Sequence, residues 1–175
     1  MNRPTKFRGR VWTITDGDGQ LINDIDTDMI FHNAHLAVTD IDTMGQYAFG
    51  NLKGWEDLPN KVKPGDIIIT GSNFGAGSSR QHAVDCFAAL GIIAIVAISF
   101  GAIYKRNAIN SGMPILTWPA LTDSSKNSLS SGDIISLDLM SGILESNGTL
   151  YQLNPFSKVQ MDIYKAGNLF ALGST

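Results

Sequence analysis

Residues 66–87 read DIIITGSNFGAGSSRQHAVDCF, and this stretch divides into three segments. The run Ile67–Thr70 is apolar and β-branched, which predicts a buried strand. Three glycines and three serines then crowd the residues up to Arg80, which predicts a loop. A helix is expected over Ser79–Leu90, where apolar residues recur on one face before a glycine. A strand, a glycine-rich loop and a helix in this order are typical of an α/β fold.

The remainder of the chain extends the α/β pattern into a mixed sheet. The run IIAIVAIS at residues 92–99 is continuously apolar, which predicts a strand buried on both faces. Further strands are predicted from RVWTI, PIL, DIISLDL, GILE and TLYQL, at residues 10–14, 114–116, 133–139, 142–145 and 149–153. The Asn-Gly pair at 147–148 predicts a hairpin turn between the last two of these strands.

Helices alternate with these strands in the middle of the chain. They are predicted from about residue 40 to Gly50, over residues 101–112, and from Pro155 to Gly167. Residues 119–132 contain five serines and no periodicity, so we expect a surface loop there. The fold class is therefore α/β, with residues 1–175 forming a single domain. Its mixed sheet is flanked by helices and has additional short strands toward the C-terminus.

Composition and charge narrow the class of protein. The chain is 43% hydrophobic and 17% charged, which is typical of a compact globular protein. A net charge of −3, with no basic stripe, argues against a nucleic-acid partner. The N-terminal residues lack the apolar run of a secretory signal, and the longest apolar stretch is shorter than the roughly 20 residues of a membrane helix. We therefore expect a cytoplasmic protein with no membrane partner.

The potential metal ligands do not match a known site pattern. The single cysteine, Cys86, permits no internal disulfide and cannot alone hold zinc or an iron–sulfur cluster. His32 and His35 lack the H-E-x-x-H spacing of a zinc site. The acidic segments 16–20 and 24–28 have neither the glycine nor the glutamate that a calcium-binding EF-hand loop requires. No metal is expected to be bound by this chain.

Four interpretations compete for the glycine-rich loop at residues 71–81. It has no lysine after its second glycine, which excludes a phosphate-binding Walker A loop. A dinucleotide-binding fingerprint would need a third glycine where Arg80 stands. Ser78 and Gln81 match the S-x-x-Q capping box, which by itself predicts only the start of a helix. The fourth interpretation is a site for an anion.

An anion site would use the same loop differently. Glycines let backbone amides turn inward, a helix N-terminus favours negative charge, and the guanidinium of Arg80 can bind a carboxylate through two nitrogens. A serine in this loop is a poor base, because the pKa of a hydroxyl is so high that ionising it at neutral pH costs about 12 kcal/mol. A helix N-terminus supplies up to about 2 kcal/mol and one arginine about 4 kcal/mol. A serine base here would therefore need help from a partner or a metal-bound substrate.

Several segments resemble a known family. NFGAGSSRQHA at 73–83 resembles the GxGSSRE signature of the swivelling domain of the aconitase superfamily. SFGAIYKRNAINSGMPIL at 99–116 and PFSKVQMDIYKAGNL at 155–169 are similar to segments of isopropylmalate dehydratase small subunits. GRVW at 9–12 and NDIDTDMI at 23–30 resemble their N-terminal strand and Asp-Thr-Asp loop. The similarity runs in order through nearly the whole chain.

The resemblance implies that this chain is the small subunit of a two-subunit hydro-lyase. This chain would bind no cofactor and would close over a hydroxy-dicarboxylic acid held by a large subunit that carries a [4Fe–4S] cluster. The activity implied is isomerisation of isopropylmalate by dehydration and rehydration, in leucine biosynthesis. By the same resemblance, Ser78 is the base, Ser79 assists by hydrogen bonding, and Arg80 binds a substrate carboxylate. Asp28 and Gln81 would hold these residues in position without contacting the substrate.

Departures from the family pattern bear on the substrate. Gln81 replaces the usual glutamate, and no arginine lies in the segment FHNAHLAVT at 31–39 to bind a third carboxylate. An apolar substituent beside Ala37 and Val38 is therefore expected. The alternatives are a related hydro-lyase acting on 2,3-dimethylmalate, citramalate or a homoaconitate-type acid, and a non-catalytic carboxylate-binding module. The segment RNAINSG at 106–112 indicates mainly a helix end, with Arg106 and Asn107 as candidates for the subunit interface.

Overall fold

A computed structural model of the protein describes residues 2–122, 125 and 128–174. Its strands are β1 (Lys6–Thr13), β2 (Ile67–Thr70), β3 (Ala94–Ala97), β4 (Ile115–Thr117), β5 (Ile134–Asp138), β6 (Ile143–Ser146) and β7 (Thr149–Gln152). Among the described residues these strands form a seven-stranded sheet in the order β4-β3-β2-β1-β5-β6-β7. Strands that are distant in the sequence are thus neighbours in the sheet.

The sheet is parallel on one side of β1 and antiparallel on the other. β1 to β4 run parallel, with Val11 opposite Ile67 and Ile67 opposite Ala94. β5 pairs antiparallel with β1, placing Ile135 opposite Gly9, and β6 and β7 continue this antiparallel half. The predicted α/β class with a mixed sheet is therefore confirmed.

The helices are mostly short. They are α1 (Thr27–Ile30), α2 (Ile41–Met44), α3 (Leu58–Lys61), α4 (His82–Ala89), α5 (Ala102–Asn110), α6 (Lys158–Ala166) and α7 (Leu169–Gly173). Single turns of 3-10 helix at Asn33–His35 and Gly45–Tyr47 accompany α1 and α2. α4 connects β2 to β3 and α5 connects β3 to β4, which are the crossovers that parallel strands require.

Alternating residues of the parallel strands enter two different hydrophobic clusters. Ile68 and Ile95 pack in a cluster with the buried residues of α4 and α5. Ile67 and Val96 pack on the opposite face, in a cluster that includes residues of β5 and β6 and Tyr164 of α6. Because both faces are covered, β2 and β3 are buried throughout and apolar at every position but Thr70, which explains the continuous apolar runs in the sequence.

Several predicted boundaries are wrong. The helix expected at Ser79 begins at His82, and the helix expected from Pro155 begins at Lys158, capped by the hydroxyl of Ser157. The helix predicted from about residue 40 to Gly50 is a single turn of α-helix followed by a 3-10 turn. Part of the predicted loop 119–132, namely residues 123, 124, 126 and 127, lies outside the described residues. Over the residues that are described, no helix is long and apolar enough to cross a membrane.

Candidate active site

The site lies where the loops after β1 and β2 meet. The two strands are parallel neighbours, so their C-terminal ends lie at the same edge of the sheet. Beyond them, the Gly75 amide donates to the Ile25 carbonyl at 2.7 Å and the Thr27 amide donates to the Ala76 carbonyl at 2.9 Å. These bonds join the glycine-rich loop to the Asp-Thr-Asp segment. The edge beyond the C-terminal ends of parallel strands is where open α/β sheets bind ligands.

Two glycines allow this close approach. Gly75 has φ 80° and Gly77 has φ 100°, in the left-handed region that glycine adopts without strain. A Cβ atom on Gly75 would overlap the ring of Tyr104, a fully buried residue of α5. The nearest neighbour of a Cβ on Gly77 would be the Thr27 hydroxyl at 3.4 Å. Gly75 therefore fixes the loop against α5, and Gly77 brings the next residues over Thr27.

The residues directly after Gly77 line an open cavity of about 390 Å³. Its lining residues are Leu36, Ser78, Ser79, Arg80, Gln81 and His82. The structure thus brings together the three residues to which the family resemblance assigns catalysis and carboxylate binding. Below the cavity, the hydroxyls of Ser78 and the buried Thr27 lie 3.2 Å apart.

Arg80 is held by one of its terminal nitrogens. Its Nη1 donates to the Phe31 carbonyl at 2.7 Å and to Asp28 Oδ1 at 3.0 Å. The hydrogen bond from Arg80 lowers the pKa of Asp28, and the backbone amide of Asn33 adds to this effect. Asn51 binds the second Asp28 oxygen at 3.0 Å. Within the described part of the chain, Nη2 and Nε of Arg80 donate no hydrogen bond, so neither of these donors has a protein partner there.

The capping box predicted for Ser78 and Gln81 does not form. Gln81 Nε2 donates instead to Asp85 Oδ1 at 2.9 Å and to Ser111 Oγ at 2.7 Å. The amide thereby ties the loop to α4 and to the end of α5. Also from α5, Asn107 Nδ2 donates to Ser79 Oγ at 3.2 Å.

The apolar wall of the cavity is Leu36, which the sequence reasoning missed by one residue. Ala37 and Val38 are absent from the cavity lining, and their contact with a substrate stays a prediction. His82 Nε2 lies 3.1 Å from the Val38 carbonyl, and this contact fixes the segment that carries Leu36. The sequence feature that could have identified Leu36 is its place in the segment 31–39, which departs from the family pattern.

Cavity volume alone does not identify the site. A second cavity of about 380 Å³ lies between Arg3, Asp85 and Tyr164. There Arg3 lies over the Tyr164 ring and its Nη1 donates to the carbonyls of Gly112 and Tyr164. These contacts attach the N-terminal segment to α6. The cavity beside Ser78 is the better candidate because it is lined by two serines and by Arg80, whose Nη2 and Nε donate no hydrogen bond to the described residues.

The side chains present do not fit an iron–sulfur cluster. Cys86, the single cysteine, is fully buried in α4, and burial raises the pKa of its thiol. No group of three histidine, cysteine or carboxylate side chains that could hold a metal occurs among the residues described. A cluster needs several exposed thiolates, so this chain offers no set of ligands for one.

Comparisons with known proteins agree with this geometry. Residues 27–120 match the family model of the aconitase C-terminal domain. A 3-isopropylmalate dehydratase small subunit of Aquifex aeolicus is 38% identical over 168 residues, covering 95% of this chain and 93% of the relative. One from Lachnospira eligens is 37% identical over 164 residues, covering 94% and 92%. A methanogen homoaconitase small subunit of Methanothermobacter thermautotrophicus is 34% identical, covering 93% and 88%.

A solved structure shows the same fold. The 3-isopropylmalate dehydratase from Methanocaldococcus jannaschii superposes with a TM-score of 0.81 at 29% identity, covering 97% of this chain and 93% of the other. Because several relatives exceed 30% identity over nearly their whole length, the likeness extends beyond the fold. The chain therefore belongs to the aconitase superfamily, in the group of small subunits that includes those of 3-isopropylmalate dehydratase.

Proposed function

We propose that this chain is the small subunit of a cytoplasmic hydro-lyase that interconverts 2-isopropylmalate and 3-isopropylmalate in leucine biosynthesis. A large subunit would contribute the [4Fe–4S] cluster and the rest of the site. The observation that carries the proposal is the grouping of Ser78, Ser79 and Arg80 around one open cavity. The names and coverage of the relatives support the same activity.

Each of the three residues has a chemical task in this reaction. Ser78 moves the proton on the carbon next to the one that loses its hydroxyl, because Ser78 lines the cavity and its hydroxyl can take up or release a proton. Arg80 binds a substrate carboxylate through Nη2 and Nε while Asp28 holds Nη1. Ser79 donates a hydrogen bond to a substrate oxygen. The chain thus supplies a base and an anion clamp, with no step assigned to a metal of its own.

The cavity wall favours an alkyl substituent over a third carboxylate. Leu36 is 38% exposed beside the site, and Arg80 is the one lysine or arginine among the residues that line the cavity. A third carboxylate next to Leu36 would lose hydration without gaining a cation. An isopropyl group would instead bury apolar surface there. This favours isopropylmalate over a homoaconitate-type acid.

The test is reconstitution with a cluster-bearing large subunit under anaerobic conditions, following the double bond of the dehydrated intermediate by ultraviolet absorbance. Ser78→Ala is expected to lower kcat by about 10²- to 10⁴-fold, the usual contribution of a general base. The matched control is Ser72→Ala, in the same loop. Within the described residues, the Ser72 hydroxyl makes no hydrogen bond, so full activity is expected.

Three outcomes would contradict parts of the proposal. Full activity of Ser78→Ala would refute its role as the base. A clear preference for homocitrate over isopropylmalate would refute the substrate class. Binding of a hydroxy-diacid without turnover of any such acid would instead favour the non-catalytic binding module.

A further inference from the structure

One face of α5 contacts the glycine-rich loop along its whole length. Tyr104, Asn107 and Ser111 are spaced by three and four residues, so they lie on the same side of the helix. Tyr104 packs beneath the start of the loop, Asn107 reaches Ser79, and Ser111 accepts from Gln81. The segment that the sequence indicated as a helix end therefore forms the support of the candidate active site.

We propose that Asn107 is a positioning residue that sets the direction of the Ser79 hydroxyl hydrogen, an inference that rests on the proposed function. Its Nδ2 atom can only donate, so Ser79 Oγ is the acceptor in the 3.2 Å contact between them. The hydroxyl hydrogen of Ser79 must then point elsewhere. Because Ser79 is exposed and lines the cavity with Arg80, that hydrogen is directed toward a substrate oxygen.

The opposite orientation of the Asn107 amide would turn the Ser79 hydroxyl hydrogen away from the cavity. If the Asn107 amide oxygen faced Ser79, it would accept the hydroxyl hydrogen and hold it away from the cavity. An aspartate at position 107 has only acceptors and would do the same. Aspartate is therefore a sharper probe than alanine, because it reverses the hydrogen bond at almost constant volume.

A purely architectural role for Asn107 would predict that replacing it lowers the thermal stability of the chain. The position of α5 is fixed by buried Tyr104, whose hydroxyl donates to the Ala83 carbonyl at 3.1 Å, and by buried Ala108. Asn107 is half-buried, and among the described residues its side chain makes one hydrogen bond, to Ser79. Replacing it is therefore expected to leave the thermal unfolding of the chain nearly unchanged while changing catalysis.

The experiment is a double-mutant cycle in the reconstituted complex. Asn107→Ala is expected to lower kcat/KM about fivefold, the worth of one ordinary hydrogen bond. Asn107→Asp is expected to lower it as much as Ser79→Ala does. In the Ser79→Ala background, neither substitution at 107 should have a further effect. Asn110→Asp makes the same chemical change one turn later and is expected to retain full activity.

The outcomes separate this inference from the proposed function. Losses that multiply independently in the cycle would refute the role of Asn107 while leaving the function intact. A fall in thermal stability that accounts for the lost activity would refute it as well. The same cycle measured on calorimetric binding of 2-isopropylmalate needs no turnover. A complex that neither binds nor converts any hydroxy-diacid would refute both.

Discussion

Replacing Gln81 by glutamate turns a favourable contact beside the cavity into a repulsive one. The Gln81 amide nitrogen donates to Asp85 at 2.9 Å and to Ser111 at 2.7 Å. Glutamate has the same shape but only acceptors, so the donor to Asp85 is lost and two carboxylates face each other. The carboxylate of Asp85, four residues on, explains why an amide suits position 81 in this chain.

The expected penalty is about 1–2 kcal/mol at pH 7. A hydrogen bond to a charged group contributes about 1.5 kcal/mol at the low end of its range, and two charges 4 Å apart in water repel by about 1 kcal/mol. Position 81 is exposed, so the new carboxylate can rotate into solvent and limit the cost. The repulsion needs both carboxyls to be ionised, so the penalty is present near neutral pH and fades below about pH 4, where carboxyls take up protons.

Urea unfolding at about pH 7 and about pH 3 measures this effect. Gln81→Glu should be less stable than the parent at the higher pH and nearly equal to it at the lower one. The double variant Gln81→Glu with Asp85→Asn restores a donor opposite the new acid and should recover most of the loss. A Gln81→Glu chain as stable as the parent at pH 7 would refute the reasoning. So would a penalty that Asp85→Asn does not relieve.

Two further predictions concern stability. Gly75→Ala should lower the free energy of unfolding by about 3 kcal/mol, because the φ of Gly75 is 80° and a Cβ would overlap Tyr104. Gly77→Ala should lower it by only about 1 kcal/mol, because a Cβ there has room. Equal losses in urea unfolding would contradict this difference. Burial would raise the pKa of Asp66, but hydrogen bonds, led by that of Arg10, lower it overall. The ionised Asp66 carboxylate therefore stabilises the fold above about pH 4, and this stabilisation is lost as the pH falls through the lowered pKa. Asp66→Asn should cost about 2 kcal/mol at neutral pH and flatten the acid limb of the pH–stability curve; an unchanged acid limb would count against it.

The sheet could be predicted from the sequence because its signals are local. The strand Ile67–Thr70 was predicted with its observed bounds, since it is apolar and lies between clear turn residues. The hairpin turn at Asn147 and Gly148 has φ 51° and 80°, the left-handed pair that an Asn-Gly sequence favours. In both segments, the residues that determine the structure are immediate neighbours in the chain.

The start of α4 could not be predicted in this way. Its capping box fails because Gln81 finds better partners in Asp85 and Ser111, the second of which is thirty residues away. Arg80 is held by carbonyls and a carboxylate about fifty residues earlier in the chain. Thr27, whose hydroxyl contacts that of Ser78, was visible in the sequence only as the middle residue of the Asp-Thr-Asp loop. Contacts between loops that follow different strands decide the site, and a local pattern does not contain them.

These contacts also bear on the acidity that Ser78 would need. α4 begins at His82, so Ser78 precedes the helix by four residues and gains little from its N-terminus. The charge of Arg80 is partly offset by Asp28, and the Thr27 hydroxyl adds about 1 kcal/mol against a requirement of about 12 kcal/mol. The charges that would make Ser78 a base must therefore come largely from a partner subunit and the bound substrate. Deuterium exchange into isopropylmalate from heavy water is accordingly expected in the two-subunit complex and absent with this chain alone, and exchange by the isolated chain would show that Ser78 is activated without a partner.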